Sequence, residues 1–78
     1  MTTRITLDVP DEKFEEIKLL CERLRLATRK DLFNNAITLL QWAEEQIASG
    51  RVIASVDDEA KSFRELSMPI FANIQRRP

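Results

Sequence analysis

The chain has no histidine, no tyrosine, one cysteine and one glycine in 78 residues. Each scarcity removes a class of function. Cys21 is the lone thiol, so there is no intrachain disulfide, and with no histidine no structural zinc site can be assembled. The usual general base is missing, and no nucleophile stands with an imidazole partner. One glycine is too few for a glycine-rich phosphate loop. The chain therefore reads as a non-enzyme, with no catalytic residue, no cofactor and no metal. The acidic run Asp57-Asp58-Glu59 lacks the length and spacing of a calcium loop and reads as a solvated turn. No apolar run approaches the roughly 18 residues that span a bilayer. The opening Met-Thr-Thr-Arg-Ile-Thr has no apolar signal core. Together with a free cysteine, this makes the cytoplasm the expected location and a membrane an unexpected partner.

What is present is an ordinary globular composition, 44% hydrophobic and 32% charged, which argues against disorder. A single domain this small buries too little surface to be comfortable alone. Disulfides and metals are excluded, so oligomerisation is the remedy left. The net charge of −1 does not favour nucleic acid, but a dimer needs only one basic face.

Residues 3–9 alternate, with Ile5, Leu7 and Val9 apolar and Arg4, Thr6 and Asp8 polar. Period two and β-branched residues predict a half-buried strand, Arg4 to Val9, ended by Pro10. Asp11 is the expected N-cap of a first helix over 11–25, with acids at its start and Arg23 and Arg25 at its end. Phe14, Ile17, Leu20, Cys21 and Leu24 supply its apolar face, and Cys21 reads as core. Thr28, with Asp31 three residues on, predicts the cap of a second helix over 29–48. Its stripe is Leu32, Phe33, Ala36, Ile37, Leu40, Ala43 and Ile47, and Gly50 closes it. Beyond lies a separate segment, so the chain divides into 1–49 and a C-terminal extension, 50–78. There Arg51–Val56 reads as a strand, 57–60 as a polar turn and Ser62–Met68 as a return strand, giving a hairpin. Pro69 starts a short helical tail through Ile74, followed by Arg76-Arg77-Pro78. A helix over 58–66 is the competing reading. Trp42 is expected to pack under the extension.

One strand cannot satisfy its own backbone groups. The simplest partner is the same strand from a second copy, paired antiparallel across a two-fold axis. Its apolar face would then pack on helices of both subunits. The alternative pairs residues 3–9 with Val52–Val56 of the same chain.

Arg-Ile-Thr-Leu-Asp-Val-Pro-Asp-Glu, then an amphipathic helix, then Thr28-Arg-Lys-Asp-Leu opening a second helix, resembles the ribbon-helix-helix family of DNA-binding proteins over residues 3–48. The resemblance implies a mainly α fold, an intertwined homodimer with an intersubunit two-stranded antiparallel ribbon. It also implies a sequence-specific, repressor-like transcriptional regulator whose ribbon reads the major groove of double-stranded DNA. The groove admits a β-ribbon and shows a distinct edge for each base pair. Carried over by position, Arg4, Thr6 and Asp8 are the base-reading candidates. Asp8 departs from pattern, because phosphates repel a carboxylate, although it can accept from a cytosine amino group. The start of the second helix would hold a phosphate through its free N–H groups and dipole. Thr28, Arg29 and Lys30 sit there, with Arg23 and Arg25 just before. Four of the twelve basic residues thus fall within eight positions. The competing reading is an antitoxin or protein-interaction module. In that reading the 51–78 segment, with Phe63, Leu66, Met68, Ile70 and Phe71, docks a partner protein.

Overall fold

In a computed structural model the described residues are 1–77; Pro78, the last residue of the expected basic tail, lies outside them. The order of elements is α1 (Asp11–Arg23), α2 (Arg29–Ala48), β1 (Ala54–Asp57), β2 (Ser62–Glu65) and a 3-10 helix (Pro69–Asn73). The fold is mainly α, two helices with one two-stranded antiparallel sheet. It divides into two compact units, residues 1–34 and the residues from Asn35 onward.

In the first unit, residues 1–10 form no strand. The strand expected over Arg4 to Val9 is therefore absent: its backbone groups meet no strand partner among the described residues, and a strand without a neighbour has no ladder to close. Among the described residues the one sheet is β1 with β2, so the alternative pairing of 3–9 with Val52–Val56 does not occur. The first helix begins at Asp11, but Pro10 occupies the cap position, and Asp11 lies inside the first turn. Pro10 is extended (φ −61°, ψ 152°) and its carbonyl accepts the first helical hydrogen bond, from Phe14 N–H at 2.9 Å. The N-cap expected of Asp11 is therefore corrected.

The helix also stops earlier than expected, at Arg23. Arg25 turns left-handed (φ 55°). Its N–H donates to Glu22 O at 3.1 Å, and Leu26 N–H donates to Cys21 O at 2.9 Å. This pair of bonds is a Schellman closure, normally given to glycine. Leu26 and Cys21 are both half-buried, as that motif's apolar contact requires. On the outer face Lys13 bridges Glu16 at 2.6 Å and Lys18 bridges Glu15 at 3.5 Å.

The second helix starts where Thr28 predicts. Its Oγ1 accepts from Asp31 N–H at 3.1 Å, which satisfies one of the helix's free donors. At the other end Gly50 is left-handed (φ 86°), donating to Ile47 O at 2.9 Å while Arg51 N–H reaches Gln46 O at 3.0 Å. The same closure recurs, here with the residue it favours.

In the second unit the hairpin pairs Ala54 with Glu65, Ser55 with Arg64, Val56 with Phe63 and Asp57 with Ser62. Both strands are shorter than expected. Arg51 is held in the closure of α2, and Pro69 pulls Ser67 and Met68 away from the ladder; one further bond, Leu66 N–H to Ile53 O at 2.7 Å, extends it. Asp57 fixes the turn: its Oδ1 accepts from Glu59 N–H (3.1 Å) and Ala60 N–H (3.2 Å). Turn and strand occupy 58–65, so the helix considered over 58–66 does not form. The tail returns to the end of α2, where Arg77 N–H donates to Ala48 O at 2.7 Å. Ala43 and Ala48 are buried, and Ile47, Ile53, Phe71 and Ile74 are half-buried. Trp42 is 48% exposed, contrary to the packing expected of it. It precedes Ala43 by one residue, about 100° around the helix from that buried position.

Ala43 and Ala48 are the only buried apolar residues among those described. The chain exposes 7550 Å².

Candidate nucleic-acid interface

The phosphate-binding candidates converge at the junction of α1 and α2. Arg23 is the last residue of α1, Arg25 holds the left-handed closure, and Thr28 caps α2 ahead of Arg29 and Lys30. The capping bond takes one of the helix's first N–H groups, at a helix start beside three exposed arginines and a lysine. Arg29 is held in place from the side: its guanidinium carbon stands 5.1 Å from the centre of the Phe14 ring. Lys18 Nζ approaches the same ring at 5.6 Å. Two cations on one aromatic ring cost little only where counter-charge or water serves them, and both are at the surface.

The sequence does not single out Lys18 as part of this site. Its position four residues after Phe14 was the available signal, since i and i+4 share a helix face. Its proximity to Arg29 follows only from the tertiary turn. An open cleft of about 400 Å³ lies here, lined by Lys18, Cys21, Glu22, Leu26, Thr28 and Arg29 among others. Glu22 is the one acid on it.

The base-reading candidates Arg4, Thr6 and Asp8 lie on the N-terminal segment, all exposed. Between them Ile5 and Leu7 are 67% and 70% exposed, so the apolar side is as open as the polar side. A second groove, about 560 Å³, is lined by Thr3, Ile5 and Leu7 on one wall and Arg29, Lys30, Phe33 and Asn34 on the other. The segment therefore runs beside the basic start of α2. Arg4, Thr6 and Asp8 themselves do not line either cleft.

Among the described residues no group of three or more acids and cysteines is placed to hold a metal ion. No helix is long and apolar enough to cross a membrane. No family model matches the chain, and neither a curated protein nor a solved structure matches it.

Proposed function

We propose that the chain is a ribbon-helix-helix protein that works as an intertwined homodimer in the cytoplasm and binds double-stranded DNA as a repressor-like regulator. The observation that carries this reading is the N-terminal segment. It alternates apolar and polar residues, leaves Ile5 and Leu7 bare, and runs beside Arg29 and Lys30 at a capped helix start. Two such segments paired across a two-fold axis would satisfy each other's backbone and cover the apolar side. The polar side, Arg4, Thr6 and Asp8, would enter the major groove. The start of α2 in each subunit would grip the flanking phosphates through Thr28, Arg29 and Lys30, with Arg23 and Arg25 behind.

Selection of bound duplexes from a random pool, followed by anisotropy titration at several salt concentrations, tests the reading. Arg29→Ala is expected to lower affinity for all sequences alike and flatten the salt slope by about one unit per lost phosphate contact. Arg4→Ala is expected to relax preference at one position of each half-site. A selection that enriches nothing, with a salt slope near zero, would sink it.

A second reading is favoured by one observation, the exposed pair Val56 and Phe63 on one face of the hairpin, 67% and 63% open. It makes the extension a docking surface for a partner protein, as in an antitoxin. The anchoring of the tail on α2 through Arg77 means that such docking would use a folded surface. Co-purification that survives removal of residues 51–78 would exclude it.

A further inference from the structure

Asp8 is the residue that fits the DNA reading worst, and the symmetry of a paired ribbon supplies its role. We propose that Asp8 forms a cross-strand ion pair with Arg4 of the partner subunit, fixing the register of the ribbon and aiming the arginine at DNA. The inference rests on the ribbon reading above.

The argument begins with what the single chain leaves open. Arg4 and Asp8 are both exposed, and neither makes an ion pair among the described residues; the ion pairs there belong to α1. Two identical antiparallel strands related by a two-fold axis place directly opposed residues on the same face. A one-residue slip would turn the apolar set outward, so the axis must pass through a residue rather than between two. Three centres keep most of the strand paired. Centred on Ile5, Arg4 faces a threonine and Asp8 faces Thr2, so no opposite charges meet. Centred on Leu7, Asp8 faces a threonine and Arg4 falls opposite Pro10, which has no N–H to donate. Centred on Thr6, Ile5 faces Leu7 of the partner subunit and Arg4 faces Asp8 of the partner subunit. This last register pairs all of residues 3–9, and it alone sets opposite charges face to face, twice by symmetry.

Opposed Cβ atoms in such a ribbon are about 5 Å apart, well within reach of an arginine and an aspartate. The carboxylate occupies two of the five guanidinium N–H donors. The others remain for a guanine edge or a phosphate. Each acid on the ribbon's polar face is then matched by a base, so Asp8 does not meet the phosphates as a free charge. Asp8 is a positioning residue for Arg4 and does not itself read bases.

The test uses the full chain. Dimer dissociation is measured by sedimentation for the unaltered protein, Arg4→Asp, Asp8→Arg and the double exchange. Each single reversal replaces two attractive pairs with two repulsive ones and is expected to weaken the dimer about tenfold. The double exchange is expected to restore it to within about threefold, and high salt to shrink the differences. Register is read separately in a Cys21→Ser background. Thr6→Cys should form an intersubunit disulfide on mild oxidation, because only the central residue opposes itself at a bridgeable distance. Ile5→Cys and Leu7→Cys should cross-link far more slowly. Positioning is read with labelled random-sequence duplex: Asp8→Asn should reduce affinity, whereas an acid that merely repels DNA would give a gain. No dimer at any concentration would overturn the ribbon reading itself. A dimer without recovery in the double exchange, cross-linking centred on residue 5 or 7, or tighter DNA binding by Asp8→Asn would overturn the pair and leave the ribbon standing.

Discussion

Two substitutions of Arg25 should differ in stability while they agree in binding. It holds φ 55° at the residue that closes α1, where its N–H and that of Leu26 complete the helix end. A left-handed residue with a Cβ costs about 1–2 kcal/mol, and glycine avoids that cost. Glycine gives back part of the gain through the entropy of the unfolded chain, about 0.5–1 kcal/mol. Arg25→Gly is therefore expected to be more stable than Arg25→Ala by about 1 kcal/mol. For a domain of this size that difference is about 4–8 °C in Tm. The comparison with alanine matters because both variants lose the same charge at the C-terminal end of the helix dipole. Side-chain packing adds little, since Arg25 is exposed. Thermal unfolding by circular dichroism measures the stability, and anisotropy on labelled duplex measures binding. Both variants should lose DNA affinity equally while the glycine variant melts above the alanine variant. A strained residue kept for its side chain gives that pattern. Equal Tm values for the two variants would refute the backbone argument, and unaltered DNA affinity in both would remove Arg25 from the interface.

Three further substitutions test the local devices. Thr28→Ala removes the acceptor for Asp31 N–H and should cost about 1 kcal/mol, with Thr28→Ser near neutral in the same melt. Gly50→Ala meets no atom within 4 Å, so its whole cost is the left-handed backbone (φ 86°), about 1 kcal/mol, seen as a lower urea midpoint with an unchanged slope. Asp57→Ala frees Glu59 and Ala60 N–H from the turn and should speed amide exchange in β1 and β2 without changing exchange in α1; Asp57→Asn keeps the acceptor and should not.

Much of this fold is legible in the sequence because its signals are local. Thr28 with Asp31, Gly50 after a long apolar stripe, Asp57 before a polar turn and Pro69 before a short tail each name an element through the chemistry of one or two residues. The errors arise where the decisive group is not local. Asp11 loses the cap because Pro10 already offers the extended backbone and the accepting carbonyl. The end of α1 is misjudged because no glycine marks it; Arg25 takes a glycine's conformation. The phase of α2 leaves Trp42 exposed although its size suggests packing. For the site, the basic residues at 23, 25, 29 and 30 are visible as a cluster in sequence. The stacking of Lys18 and Arg29 on Phe14 is not, since it joins residues on two helices. Residues 3–9 show the clearest pattern and no strand, because alternation specifies a face and cannot supply a neighbour.

Among the described residues Ala43 and Ala48 are the only buried apolar residues, while many large apolar side chains lie open. A second copy that covered those side chains would make an apolar interface of the obligate kind. The bare side chains include Ile5 and Leu7, and Phe33, Ile37 and Leu40 along one stripe of α2. If folding and association are one event, Tm must rise with protein concentration. For a dimer of two such chains the rise is about 4 °C per tenfold. Phe33→Asp should abolish the cooperative transition, because the charge would be buried at a shared core. Phe63→Asp, on the open face of the hairpin, should leave the concentration dependence intact. A Tm constant across a hundredfold dilution would mean that each chain folds alone and that its exposed apolar face serves something other than a second copy.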